Sequence, residues 1–310
     1  MRRFNRRMAM SVLGSGWIAA CAPVRVSDTG KSQPRGGIGG TGIVGTLTDF
    51  GSLIVNGLRI ETDAMTDVSS ALGPVDPAAL GIGHSLTIEA ESGATGYLAR
   101  RVSLSQPLIG RVTDLSADRS TARINGVEVT LEPGAIGDWA QGTRIAVSGV
   151  WRADRVIASR LDWIADDLPD VIAGELQPEG LIGIAGRAVN LGGLSAPDSG
   201  SFVTALGRNR PDRFEVSELR AGRFIGAAGS LVQLSVEGYL DPISTAPFYR
   251  LSGLGHSFDP NARLGAFAEQ RSLLTGPYRG TFEVATAIRM PDDFEARRKR
   301  IRDVAAGAAE

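Results

Sequence analysis

A short pattern of aliphatic residues around a glycine occurs three times along the chain. Ile43-Val44-Gly45-Thr46-Leu47 is followed by Leu108-Ile109-Gly110-Arg111-Val112 and Ile172-Ala173-Gly174-Glu175-Leu176, with the glycines 65 and 64 residues apart. A chain that repeats itself in this way builds each copy as one structural unit, and the unit sets the fold. A second landmark follows each of these starts: Val55-Asn56-Gly57-Leu58, Ile124-Asn125-Gly126-Val127 and Ile184-Ala185-Gly186-Arg187. Asn-Gly between alternating apolar residues predicts a type I′ hairpin, whose two central residues both need positive φ. The opening strand and this hairpin form a three-strand meander.

Period-two alternation supplies a fourth strand at Leu86–Ala90, Ile145–Gly149 and Leu234–Gly238. A fifth follows at Leu98–Val102, Ile157–Leu161 and Val284–Ile288. Segments Asp76–Leu80 and Ile136–Ala140 are each able to form a helical turn between strands three and four. Forty glycines and fifteen prolines favour many tight turns over long helices. The expected fold is all-β: three tandem five-stranded OB-like barrels, in which closure hides strand edges, and a short C-terminal helix. Another small barrel or sandwich with the same strand count is the alternative. The expected units are 40–105, 106–168 and 169–290, the last stretched by insertions at Leu191–Arg213 and Asp241–Gly280.

These motifs, with Gly37-Ile38-Gly39-Gly40-Thr41-Gly42 leading into the first unit, resemble the family catalogued as domain of unknown function 5666. The resemblance spans nearly all of the chain after its first forty residues, although the third copy lacks the Asn. It implies an exported β-barrel repeat protein and no known activity.

The first twenty residues differ from the rest. Arg2, Arg3, Arg6 and Arg7 precede a weakly apolar stretch too short to span a bilayer, which reads as an export signal over 1–20. It ends in Ile18-Ala19-Ala20-Cys21, which resembles the lipobox of bacterial lipoproteins. That resemblance implies lipidation of Cys21, membrane attachment through the lipid, and, with Ala22 next, an outer-membrane position facing the periplasm. Residues 21–39 read as a Gly/Pro/Ser-rich tether. Without the four signal arginines the formal charge moves from −1 to −5, which argues against a nucleic-acid partner. The Gly37–Gly42 string matches a dinucleotide fingerprint by letter, but a strand rather than a helix is expected after it, so no nucleotide partner is expected.

Little in the sequence points to catalysis. With one cysteine and two histidines, no zinc spacing or Cys/His pair can be assembled, and no cofactor, metal or catalytic residue is expected. His84 reads as structural. His256-Ser257-Phe258-Asp259 invites a hydrolase reading, but neighbours in a loop rarely face one another productively. Asp166, Asp167 and Asp170 lack the spacing of a calcium loop. Trp139, Trp151 and Trp163 read as core or rim rather than as a glycan platform. Beyond Pro291, acidic residues followed by basic ones predict a charged helix over 291–310. The reading that follows is a non-enzymatic envelope lipoprotein that binds protein or glycan. Tyr249, Arg250, His256 and Arg263 in the insertions of the third unit are the candidate contacts. A hydrolase built on those insertions and a purely structural spacer are the alternatives.

Overall fold

The computed structural model describes residues 39–93, 96–177, 182–244, 248–254, 258–259 and 262–305. Residues 1–20, Cys21, the tether up to Ile38, His256 and Ser257 lie outside them. The described chain is all-β with one short helix, and among these residues no helix is long and apolar enough to cross a membrane.

In the first unit β1 (Gly40–Asp49) pairs with β2 (Leu53–Val55), and β2 with β3 (Leu58–Glu61). The side hairpin β4 (Asp67–Ser70) and β5 (Gly73–Pro74) follows, then β6 (Ser85–Gly93) and β7 (Gly96–Leu104). β6 pairs with β1 and β7, and β7 runs parallel to β3. The order β1-β2-β3-β7-β6 therefore closes a five-stranded barrel around Ile43, Leu47, Val55, Ile60, Leu86 and Ile88. The second unit repeats this order with β8 (Leu108–Thr113), β9 (Thr121–Ile124), β10 (Val127–Ile136), β11 (Arg144–Arg152) and β12 (Arg155–Trp163).

The third ring of pairings is shorter than expected. It comprises β13 (Asp170–Gln177), β14 (Gly183–Ile184), β15 (Arg187–Asn190), β16 (Phe202–Asn209) and β17 (Phe214–Ala221), joined in the same order. Its fourth and fifth strands are thus β16 and β17, not the expected 234–238 and 284–288, and the expected insertion Leu191–Arg213 supplies one of them. The expected strands belong to a further antiparallel sheet of β18 (Leu231–Pro242), β19 (Tyr249–Leu251), β20 (Arg271–Pro277) and β21 (Thr286–Arg289). β18 lies in parallel register along β1, and it alternates because Leu234 and Val236 enter an apolar core while buried Ser235 and Glu237 meet Asn56, Arg271 and Arg297. Described residues of 241–280, read as the second insertion, pack inward instead: Leu251, Phe258, Leu264 and Leu274 share a core with Phe282 and Val44.

The hairpins adopt positive φ at both central residues in all three rings: 56° and 77° at Asn56-Gly57, 54° and 81° at Asn125-Gly126, 48° and 83° at Ala185-Gly186. Asp76 caps a single 3-10 turn at Pro77–Ala79 by accepting from the Ala78 amide. Residues 136–140 form no helix. There Trp139, 1% exposed, fills the barrel and donates its indole N–H to the Arg119 carbonyl.

The repeated glycines mark the point where each opening strand changes neighbours. β1 pairs with β2 at Leu47–Asp49 but with β18 at Gly40–Val44. β8 pairs with β9 at Val112–Thr113 but with β13 at Leu108–Ile109. Hairpin asparagines bridge the fork. The Asn56 amide donates to the carbonyls of Val44 and Ser235, and the Asn125 amide to those of Ile109 and Val171. A Cβ on Gly45 or Gly110 would fall 2.1 or 2.2 Å from the asparagine Oδ1, so glycine is required. In the third ring, where Ala185 replaces the asparagine, the Trp151 indole donates to the equivalent carbonyl of Ala173 at 2.9 Å.

Helix α1 (Phe294–Ala305) starts at Asp293, whose side chain accepts from the Ala296 amide. It docks through buried Phe294 and Ile301. Arg297, one of the basic residues of the charged helix, is buried as well, because it completes an ion network inside the protein.

Candidate functional site

Two features stand where the units meet: the buried ion network and a cleft beside it. In the network Arg271 binds Glu132 at 2.5 Å and Glu237 at 2.7 Å, while Arg297 binds the same carboxylates at 2.5 and 3.0 Å. The Thr46 amide also donates to Glu237. All four ionic side chains are at most 1% exposed, and they come from β10, β18, β20 and α1. Burial alone would raise Glu237, but Arg271, Arg297 and Thr46 outweigh it and hold the carboxyl down at about 2. Burial dominates at Glu132 and pushes it up despite the same two guanidiniums. Two positive and two negative charges, each multiply hydrogen-bonded, satisfy the condition under which buried ions persist.

The cleft, about 160 Å³, lies between β6 and β7 of the first barrel, the connection Ser105–Pro107, β11, β16, and the segment that leaves β17. That segment is fixed by Glu89, a fully buried carboxylate that accepts from the Ile225 and Ala227 amides at 2.8 and 2.7 Å. Arg101 sits 3.5 Å from Glu89 and so neutralises it. This arrangement turns Arg223 back into the cleft. Its guanidinium lies 3.8 Å from the Phe202 ring centroid and donates to Thr87 Oγ1 at 2.9 Å and the Gly253 carbonyl at 3.2 Å. Its Nε is buried without a partner, and no carboxylate among the described residues pairs with it. Burial lowers its pKa to about 9, which leaves it charged at neutral pH. Gln106 also lines the cleft, 8% exposed, and its carboxamide makes no hydrogen bond with described residues. Glu237 reaches the cleft wall, but its charge is spent on Arg271 and Arg297.

Of the residues singled out in the sequence for partner contact, Tyr249, Arg250 and Arg263 do not line the cleft. Tyr249 and Arg250 are on β19, where Arg250 binds Glu175 at 3.3 Å and so ties that strand to the third ring. Arg263 is exposed on a separate segment, and His256 lies outside the described residues. His84 is 3% exposed: its Nδ1 accepts from the Gly81 amide, and its Nε2 lies 2.8 Å from Asp162 across the junction of the first two barrels. Asp170 is taken by Arg144 and the Asn209 amide, and the described residues contain no group of three metal-ligating side chains. The tryptophans form no platform, since Trp139 and Trp151 are core while Trp163 is 64% exposed. Sequence reasoning passed over Arg223. A signal was present, because Leu219 to Val236 contains Arg220 and Arg223 and no acid.

No curated protein and no solved structure matches the chain. Residues 41–103, the span of the first barrel, match the model of a family described as Domain of unknown function (DUF5666).

Proposed function

We propose that this chain is a non-enzymatic envelope lipoprotein whose three rings are tandem OB-like barrels that present a binding cleft to a glycan or protein. The observation that carries the reading is the cleft itself, walled by every unit and holding polar groups that the fold leaves unused. Concave sites with a few convergent polar groups on an otherwise apolar wall suit binding. The lipobox-like Ile18–Cys21 supports attachment through Cys21, and Ala22 supports an outer-membrane position facing the periplasm. Stable attachment of that kind takes more than one acyl chain, as a lipidated amino-terminal cysteine provides.

A photo-crosslinking residue placed at Arg220, on the cleft rim, tests the reading in cells. Capture of a discrete glycan or protein is the expected result, and an uncrosslinked protein at native abundance would overturn it. Intact-mass analysis of membrane-extracted protein, with Cys21→Ala as control, tests the anchor. An unmodified chain, or unchanged membrane association of the variant, would overturn that part. A purely structural spacer is the second reading, favoured by the buried ion network that locks the units together, and a blank crosslinking result would support it.

A further inference from the structure

We infer that the junction cleft binds a small monocarboxylate, with Arg223 as its counter-ion and Gln106 as a second donor. This rests on the binding-module reading above and names the ligand chemistry.

The argument begins with charge. A guanidinium removed from water is normally paired with a carboxylate, because an isolated buried charge is costly. Arg101 on the same wall follows the rule, through Glu89. Arg223 does not: its only described partners are a hydroxyl, a carbonyl and an aromatic face. Its Nε–H is buried and unused. The cleft therefore holds one uncompensated positive charge, which selects one negative charge. A dianion such as phosphate would leave a second charge buried without a partner.

Geometry narrows the class further. Phe202, Thr87 and the Gly253 carbonyl hold the guanidinium plane in place, so the second N–H of each Nη is oriented before any ligand arrives, and planar carboxylates match such donors best. Gln106 adds an amide that nothing in the described protein satisfies. A cleft of about 160 Å³ far exceeds the roughly 10–15 Å³ that one water needs, yet it suits one ring rather than a polymer run. Its apolar wall includes Leu104, Trp151 and Leu254, which suits the carbon body of an organic or sugar acid.

The test is calorimetric titration of the detergent-solubilised full chain with benzoate and glucuronate, against benzamide, glucose and inorganic phosphate. At least one of the two carboxylates should bind tenfold or more tightly than its neutral counterpart and than phosphate. Arg223→Gln should weaken that binding at least tenfold. Gln106→Leu breaks none of the hydrogen bonds described above, so it serves as the second variant if Arg223→Gln fails to fold, and it should weaken binding several-fold. Equal affinity for the neutral counterparts, preference for phosphate, no carboxylate binding, or unchanged affinity in a folded variant would each overturn the inference. The binding-module reading fails separately. Rim crosslinking that captures a partner while no carboxylate binds removes only the ligand class, and carboxylate binding without any capture in cells removes the glycan or protein partner.

Discussion

Gly45, Gly110 and Gly174 sit where an opening strand changes neighbours, and at the first two the asparagine carboxamide occupies the space a side chain would need. Gly45→Ala and Gly110→Ala should each destabilise the protein by about 1–3 kcal/mol, through overpacking against backbone-bonded Asn56 and Asn125, as read from urea midpoints. The third ring gives a different outcome. Trp151→Phe keeps most of the packing but leaves the buried Ala173 carbonyl without its donor, and should lower stability by about 1–3 kcal/mol in the same measurement. The Asn-Gly turns were legible because positive φ has a compositional signature, and the three glycines because they recur at near-equal spacing. The carbonyl acceptors were not, since Ser235 lies 179 residues from Asn56 and nothing local encodes that contact. Arg223 was hidden for the opposite reason: its distinguishing property is a missing partner, which only the packed structure reveals.

Among the elements, the five strands of each of the first two barrels were legible, because they recur at regular spacing, whereas the side hairpin of β4 and β5 and the non-helical course of residues 136–140 were not. The third was misassigned because β18 has the alternation Leu234-Ser235-Val236-Glu237-Gly238 that marks a fourth strand. Its actual role is to extend β1 from outside. Alternation reports that a strand has one buried face but not which strand it lies beside. Helix α1 was legible from its charge order, yet Arg297 is buried because it faces Glu132 and Glu237, which neighbouring residues do not announce. Glu237→Gln leaves two guanidiniums facing a single carboxylate. It should cost about 3–5 kcal/mol, measured as loss of unfolding free energy, whereas substitution of exposed Lys299 should be near neutral.

For the whole molecule, acid stability follows from the junctions between units. Glu237 is held at about 2, below its ordinary 4.5, so its stabilising contribution is complete above that ordinary value and is lost as pH falls toward 2. Asp162 acts in the same sense: burial would raise it, but His84 and Arg160 outweigh burial and lower it. Glu132, raised by burial, contributes with the opposite sign and subtracts stability as pH climbs through its ionisation. Unfolding free energy should fall from pH 4.5 toward pH 2, and the slope should be shallower in Glu237→Gln. Chemical denaturation at stepped pH measures both. That the units form one body was not legible, because the pairing of β1 with β18 and the Thr46–Glu237 bond link positions about 190 residues apart. That same pairing has a consequence for biogenesis. β1 acquires its outer neighbour β18 only after about 190 further residues have been made, so until then the first barrel shows an open edge at residues 40–44. A fragment of residues 40–105 should therefore give a β-type circular dichroism spectrum yet self-associate in sedimentation velocity. Adding a peptide of residues 229–242 should return it to a monomer-sized complex. A nascent chain with such an edge needs shielding until β18 has been made and has paired.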